Sequence, residues 1–301
     1  MEQLLRELAE NGIAVQPDEP MRRHTTFLVG GPADLFITPA GPAELAKALS
    51  LCRKAEVPYI VIGNGSNLLV SDSGVRGAVI RTGHAMSIVE TEGCVVRAQA
   101  GASLSLIAAK AKAAGLAGFE FASGIPGSLG GAIVMNAGAY GGEMAQVVSS
   151  VTVLTADGTF KEIPAADMDF GYRKSCVPEN GYTVISASLR LTPGDSRHIG
   201  ERMDELAAAR RSKQPLEYPS AGSTFKRPAG NFAGKLIMET GLAGFSVGGA
   251  CVSPKHCGFV INTGGASAQD IYTLCMEVRR AVFERTGIML ELEVRTLGEF
   301  D

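Results

Sequence analysis

A stretch of twenty residues near the middle of the chain, 123–142, contains seven glycines. Glycine loses more conformational freedom on folding than any other residue, so a run this rich destabilises helices and strands. Chains carry such runs where the backbone must approach a ligand closely, or where successive amide N–H groups converge on an anion. The segment therefore predicts a ligand-binding loop, with only a short helix inside it at about 128–136.

A second, shorter glycine patch, Gly63-Asn64-Gly65-Ser66-Asn67, follows an apolar run at 58–62 that predicts a buried strand. Two such loops together predict a large phosphate-bearing ligand, although two plain structural turns are the alternative. The patch lacks the third glycine of a dinucleotide fingerprint, and the residues after it do not predict a helix. The chain also lacks the loop Gly-x-x-x-x-Gly-Lys-Ser/Thr, so neither a Rossmann domain nor a P-loop ATPase is indicated.

Length and composition limit the class of protein. At 301 residues, two or three domains are expected. The net charge of −3, without a lysine or arginine run, argues against nucleic acid as the main partner. The N-terminus predicts an acidic amphipathic helix rather than a signal peptide, and no apolar run approaches the roughly 18 residues of a membrane span. We therefore expect a soluble, cytoplasmic protein with no membrane insertion.

Cysteine and histidine spacing indicates neither a disulfide framework nor a metal site. The six cysteines are scattered without a Cys-x-x-Cys pair, and the four histidines show no ligand spacing. No Gly-x-Ser-x-Gly elbow is present, which argues against a serine hydrolase. We expect buried, reduced thiols and no metal.

The order of predicted elements divides the chain into three parts. Residues 1–82 predict a small α/β unit, 83–194 a strand-rich unit with the long glycine loop, and 195–301 an α+β unit. The third part predicts a helix that begins at the capping box Ser267–Asp270 and ends at Gly287, followed by a strand over 288–296. The overall expectation is an α+β protein.

The two glycine loops and several further motifs together resemble one enzyme family. The loop residues are Gly63–Asn67 and Gly124-Ile125-Pro126-Gly127-Ser128, continued by Gly130-Gly131-Ala132 and Asn136-Ala137-Gly138-Ala139. The further motifs are His24-Thr25-Thr26-Phe27, Tyr172-Arg173, Ser220-Ala221-Gly222-Ser223, Gly248-Gly249-Ala250 with Lys255-His256, and Leu292-Glu293-Val294. In this order they cover nearly the whole chain and resemble UDP-N-acetylenolpyruvoylglucosamine reductases (MurB). The lid segment of longer members has no counterpart between Gly241 and Thr263, so the chain resembles the shorter form, type II.

This resemblance implies a fold, cofactors and a reaction. The implied fold is an FAD-binding fold of the vanillyl-alcohol-oxidase/PCMH type in two N-terminal subdomains, 1–82 and 83–194, with a substrate domain at 195–301. It implies non-covalent FAD and NADPH as hydride donor. The implied substrate is a UDP-sugar carrying an enolpyruvyl ether, whose reduction yields UDP-N-acetylmuramate for peptidoglycan synthesis. The resemblance leaves the oligomeric state open.

The resemblance also assigns roles to individual residues. Arg173, Ser223 and Glu293 are implied to be catalytic. Tyr172, Lys213 and Lys226 are implied to bind the substrate, Lys213 at its diphosphate. The residues implied to bind the cofactor all belong to the two glycine loops: Gly63, Asn64, Gly65, Ser66, Asn67, Ser123, Gly124, Ile125, Gly127, Ser128, Gly130, Gly131, Ala132 and Asn136.

Each catalytic role agrees with the chemistry of its side chain. The planar fork of Arg173 matches a carboxylate on which negative charge develops. Ser223 is a weak acid that can donate a proton if it is well positioned. Glu293 can donate a hydrogen bond to the developing charge if an apolar site keeps it protonated.

Two other functions are consistent with the same loops. One is a related flavin oxidase acting on an alcohol, with His24 and His84 as candidates for a covalent flavin link. The other is a catalytically silent protein that binds nucleotide sugars on the same scaffold. The motifs around Ser223, and the presence of Arg173 and Glu293, favour the reductase over both.

Overall fold

The computed structural model describes all 301 residues and separates them into two compact units. The first unit consists of Met1–Gln16, Leu35–Asn64 and Gly77–Arg210. The second unit consists of Pro17–Asp34, Gly65–Arg76 and Arg211–Asp301. The chain therefore passes between the units several times.

The chain forms seven α-helices and eighteen β-strands. The helices are α1 (Glu2–Glu10), α2 (Pro42–Lys54), α3 (Leu104–Ala113), α4 (Leu129–Val134), α5 (Ser196–Lys213), α6 (Ala233–Glu239) and α7 (Ala268–Thr286). The strands are β1 (Ala14–Pro20), β2 (Pro32–Thr38), β3 (Tyr59–Ile62), β4 (Leu68–Val70), β5 (Val75–Arg81), β6 (Val89–Glu92), β7 (Val95–Gln99), β8 (Leu116–Ala117), β9 (Gly138–Ala139), β10 (Gly142–Glu143), β11 (Val148–Leu154), β12 (Phe160–Pro164), β13 (Thr183–Arg190), β14 (Thr192–Pro193), β15 (Ser246–Val247), β16 (Ala250–Val252), β17 (Val260–Asn262) and β18 (Arg295–Leu297).

The first unit contains two hydrophobic cores. One joins the apolar faces of α1 and α2 to β2 and β5, through residues such as Leu8, Leu45 and Ile80. The other fills the space between α3, α4 and the antiparallel sheet β12-β11-β13-β7-β6. The second core therefore holds α4, which lies inside the glycine-rich segment, against a rigid sheet.

The second unit has one core, built around α7. Helix α7 packs on the antiparallel sheet β15-β16-β17 and on β4, which pairs in parallel with β18. Phe27, Val29 and Leu69 come from the N-terminal third of the chain and are buried in this core. The carboxylate of Asp72 accepts from the N–H groups of Ala268 and Gln269 at the start of α7, each over 2.9 Å. Residues around the first glycine loop are thus built into the unit that also carries the C-terminus.

Local signals located most elements correctly. The capping box predicted at Ser267–Asp270 is present, and Gly287 ends α7 at a φ of 72°. Asp157-Gly158, a residue pair typical of hairpin turns, lies between β11 and β12, and these strands form a hairpin. The strand predicted over 288–296 is wrong for most of its length: only 295–297 form a strand, and Leu292 makes an isolated bridge to Phe225. The division at 82 and 194 stays a prediction.

Candidate functional site

The first glycine loop begins where β3 ends, and Gly63 meets the second loop there. A Cβ added at Gly63 would collide with the Ser128 hydroxyl, so glycine is needed for this close approach. Ser128 itself is buried, and its Oγ has no hydrogen-bond partner in the protein. A buried hydroxyl without a partner costs free energy, so a bound ligand that offered an acceptor or donor here would complete its bonding.

Backbone amides near Ser128 are also available to a ligand. Leu129 and Gly130 donate to the carbonyls of Ala102 and Ala100, each over 2.8 Å, and these bonds fix the start of α4. The amides of Gly127, Ser128 and Gly131 donate to no backbone carbonyl. Free amides beside an unpartnered hydroxyl suit phosphate oxygens or the polar edge of a flavin ring. The residues around Ser128 therefore fit a flavin nucleotide.

The remainder of the first loop lies in the second unit. Gly65 adopts a φ of 62°, and a Cβ there would collide with the His24 carbonyl oxygen. Asn67 donates from Nδ2 to the Glu293 carbonyl over 3.0 Å, and its own carbonyl accepts from Arg295 over 2.9 Å. A predicted cofactor residue and a predicted catalytic residue are thus directly connected.

Thr224 connects the backbone of Ser223 and Glu293, because it directly follows Ser223 and bonds to Glu293. The Thr224 carbonyl accepts from the Glu293 amide over 2.8 Å, and its own amide donates to Gly258 over 2.9 Å. The Thr224 hydroxyl accepts from the Val260 amide over 3.0 Å, and the residue is fully buried. Ser223, directly before it, is exposed. The sequence analysis missed Thr224, because only the fold shows that one buried residue places both predicted catalytic groups.

Arg173 lies in the first unit, in a tight turn that carries unusual backbone geometry. Its φ is 56°, a left-handed conformation that non-glycine residues rarely adopt. Its guanidinium lies 5.0 Å from the ring centroid of Tyr172, an exposed side chain. Strain of this kind is typical of functional sites, where surrounding contacts hold the residue in place.

Asn136 supplies one of those surrounding contacts. Its Nδ2 donates to the Gly171 carbonyl over 3.0 Å, and its Oδ1 accepts from the Ala145 amide over 2.8 Å. Both ends of the side-chain amide therefore bond to the protein, next to the turn that carries Arg173. A direct contact between Asn136 and the cofactor stays a prediction.

The other predicted residues occupy various environments. Lys213 is exposed at the C-terminal end of α5, and the Lys226 ammonium pairs with Glu291 over 3.0 Å. Ser123 donates its hydroxyl to the Glu120 carbonyl over 2.8 Å. Asn64, Ser66 and Ile125 are half-buried, while Ala132 is buried in the core that holds α4.

His256, from one of the motifs, supports the backbone around Thr224. Its Nδ1 accepts from the Gly258 amide over 3.2 Å, and its ring packs edge-on against Phe259. Burial lowers the pKa of His256 below its ordinary value, because the charged ring would lose its hydration. The neutral ring therefore belongs to the folded state.

No group of three or more His, Cys, Asp or Glu residues is placed to hold a metal ion. All six cysteines are free thiols. No helix is both long enough and apolar enough to cross a membrane.

Comparison with known proteins first defines the class. Residues 33–163 match the FAD binding domain family, and residues 214–297 match the C-terminal domain of UDP-N-acetylenolpyruvoylglucosamine reductase. An Acremonium strictum glucooligosaccharide oxidase, described with a novel flavinylation, is similar with a TM-score of 0.50 and 16% identity. That likeness covers 63% of this chain and 42% of the oxidase, and it shows the fold alone. The chain is an FAD-binding oxidoreductase with an α+β fold of this type.

Closer relatives then define the family. The UDP-N-acetylenolpyruvoylglucosamine reductase of Agathobacter rectalis is 53% identical over 295 residues, covering 94% of each chain. The crystal structure of the Thermus caldophilus enzyme (MurB) is similar with a TM-score of 0.81 and 39% identity, covering 95% of this chain and 99% of that one. The chain belongs to the UDP-N-acetylenolpyruvoylglucosamine reductase family, as the motifs in the sequence predicted.

The unpartnered hydroxyl of Ser128 yields a prediction about the cofactor. We expect Ser128→Ala to weaken FAD binding by roughly two- to tenfold, the range of one neutral hydrogen bond. Stability without FAD should be unchanged or slightly higher, because the hydroxyl has no protein partner to lose. Fluorescence of released FAD and urea denaturation of the flavin-free protein measure the two effects. Ser105→Ala, an exposed site on α3, is the control, and equal FAD affinity in both variants would contradict the assignment.

The buried ring of His256 yields a prediction about pH. Above about pH 6.5 the ring is neutral in both states, so its contribution to stability is complete. As the pH falls below this value, the unfolded chain takes up a proton that the folded chain resists, and stability decreases. Between pH 7.5 and pH 5.5, the free energy of unfolding measured by urea denaturation should fall more for the natural protein than for His256→Gln. His84→Gln, at an exposed histidine, should lose as much stability as the natural protein. Equal losses of stability in all three proteins would contradict the prediction.

Proposed function

We propose that the protein reduces the enolpyruvyl C=C bond of UDP-N-acetylglucosamine enolpyruvate to UDP-N-acetylmuramate, with NADPH as hydride donor. The observation that carries this proposal is the connected arrangement of Asn67, Ser223 and Glu293 in the second unit. These bonds bring the backbone of the residues that carry the hydroxyl and the carboxyl close to a loop residue predicted to bind the cofactor. Family membership supports the same substrate, which would make the product a precursor of peptidoglycan.

FAD, when bound and reduced by NADPH, would supply the hydride that is added to the terminal carbon of the substrate double bond. Negative charge then develops at the neighbouring carbon and spreads into the substrate carboxylate. Side chains of the protein must therefore stabilise this charge and donate a proton. Residues of the glycine loops, including Gly63 and Ser128, would hold the nucleotide through amides and the free hydroxyl.

Arg173 would bind the substrate carboxylate through its planar fork and stabilise the charge that develops there. The turn that carries it is closed by mutual backbone hydrogen bonds between Gly171 and Lys174, over 3.1 and 3.2 Å. A guanidinium on such a fixed turn needs little reorganisation during the reaction. Tyr172 would line the substrate site beside it.

Ser223 would donate the proton that completes the addition, from its Oγ to the carbon next to the substrate carboxylate. The backbone bonds of Thr224 fix the position of Ser223, and positioning of this kind is what a weak acid needs. Glu293, if protonated, would donate a hydrogen bond to the same developing charge. One hydride and one proton are then added across the double bond.

Lys213 and Lys226 would contact the UDP diphosphate. Lys213 is exposed and can contact a polyanion, whereas the Lys226 ammonium already pairs with the Glu291 carboxylate. We therefore assign the larger contribution to Lys213. A cytoplasmic location stays a prediction.

Substitution at Ser223 tests the proposal. Ser223→Ala should still oxidise NADPH, but its reduction of the enolpyruvyl substrate should fall by at least about 10²–10³-fold, because the transferable proton is lost. Ser223→Cys should recover part of the activity, since a thiol can also donate a proton. Stopped-flow absorbance of the flavin separates the two half-reactions.

Ser246→Ala, at an exposed serine in the same unit, is the control for these variants. Normal turnover by Ser223→Ala would refute the role of Ser223. A purified protein that is yellow but is not bleached by NADPH would refute the proposed hydride donor, and NADH tested in parallel measures the preference. Oxidation of an alcohol by the natural protein would instead favour a flavin oxidase, and ligand binding without turnover a silent binding protein.

A further inference from the structure

Arg210, in the last turn of α5, is a cation without an anionic partner. No hydrogen bond or ion pair of its guanidinium occurs within the protein. Burial lowers the pKa of Arg210, and the ionisable group that acts on it most directly is the phenol of Tyr140. Other arginines of the same helix differ: Arg197 and Arg202 are exposed and pair with Glu201 and Glu205.

The guanidinium of Arg210 lies against the glycine-rich segment. A Cβ added at Gly124 would lie 3.3 Å from the Arg210 Cδ and 3.5 Å from its Nη1. The arginine therefore covers the side of Gly124 on which other residues carry a side chain. Next to Gly124, the amides of Ser123 and Ile125 donate to Glu120 and Ala122, whereas the Gly124 amide donates to no backbone carbonyl.

A partly buried cation without a partner costs free energy in the ligand-free fold. A chain gains from such an arrangement when a bound anion supplies the missing partner. Arginine offers a planar fork of donors that matches phosphate, and the Gly124 amide adds one more donor at the same place. Neither the fold nor the roles assigned to other residues explain why Arg210 is placed there.

We propose that Arg210 binds a phosphate group of a nucleotide at Gly124. The choice of a nucleotide rests on the proposed function, which involves three phosphate-bearing ligands: FAD, NADPH and the UDP-sugar. A phosphate group that Arg210 could bind is present in all three ligands, and the experiment below distinguishes among them. Arg210 is thus a further binding residue that the sequence motifs do not include.

The test compares Arg210→Gln and Arg210→Lys with Arg211→Gln, a neighbouring exposed arginine on the same helix. Fluorescence of released FAD on dilution gives the affinity for FAD. The dependence of flavin bleaching on NADPH concentration gives the apparent affinity for NADPH. The KM for the enolpyruvyl substrate reports the apparent affinity for the UDP-sugar.

We expect Arg210→Gln to weaken binding of one ligand by about 10- to 100-fold, the range for charge-assisted hydrogen bonds. Arg210→Lys should show a smaller loss, and Arg211→Gln none. The ligand that is affected identifies the source of the phosphate. The urea midpoint of flavin-free Arg210→Gln should be unchanged or higher than that of the natural protein, because an unpaired cation has been removed.

Two results for Arg210→Gln would overturn the inference. The first is an affinity for each of the three ligands that is within twofold of the natural protein's. The second is a lower urea midpoint together with equal losses of affinity for all three ligands, which would indicate a structural role. The FAD measurement does not depend on turnover. Failure to reduce the enolpyruvyl substrate would therefore refute the proposed function without deciding the role of Arg210.

Discussion

The backbone hydrogen bond between the Glu293 amide and the Thr224 carbonyl is the interaction on which the second unit's candidate site depends. It joins two segments about seventy residues apart in sequence and leaves Ser223 and Glu293 on neighbouring stretches of backbone. Because the Thr224 amide and hydroxyl are also bonded, to Gly258 and Val260, the residue has little freedom to move. Residues fixed by main-chain bonds need no rearrangement when a substrate arrives, which is the property that the electrostatic and proton-transfer roles proposed for them require.

The first unit fixes its predicted catalytic residue by a different device. Arg173 has a left-handed backbone conformation, which is strained for a residue with a side chain. The turn persists because Asn136 donates to the Gly171 carbonyl and Ser175 donates to the Val134 carbonyl over 3.0 Å. Both contacts come from the last residue of α4 and from Asn136, two residues beyond it, so the glycine-rich segment supports the turn in addition to its predicted role in ligand binding.

Sequence reasoning succeeded where local chemistry determines structure. The Ser267 capping box, Gly287 and the Asp157-Gly158 turn carry their geometry in a few adjacent residues, and the structure has all three elements. The predicted strand over 288–296 failed because its alternating residues face partners far away in sequence. Most of it makes single bonds to the Thr224 region, and only its last part pairs with β4. Family motifs identified the class of enzyme, but they do not reveal Thr224 or Arg210, whose importance depends on tertiary contacts.

The interleaved course of the chain has a consequence for how the protein is made. During synthesis, 17–34 and 65–76 leave the ribosome long before α7, which completes the core that buries Phe27, Val29 and Leu69. These apolar side chains therefore stay exposed or loosely covered until more than half of the polypeptide has been translated. Closure of such long loops is slow, because entropy is lost before the distant contacts form. The C-terminal half therefore completes an early part of the chain, and a ribosome that stalls before α7 would release a product prone to aggregation.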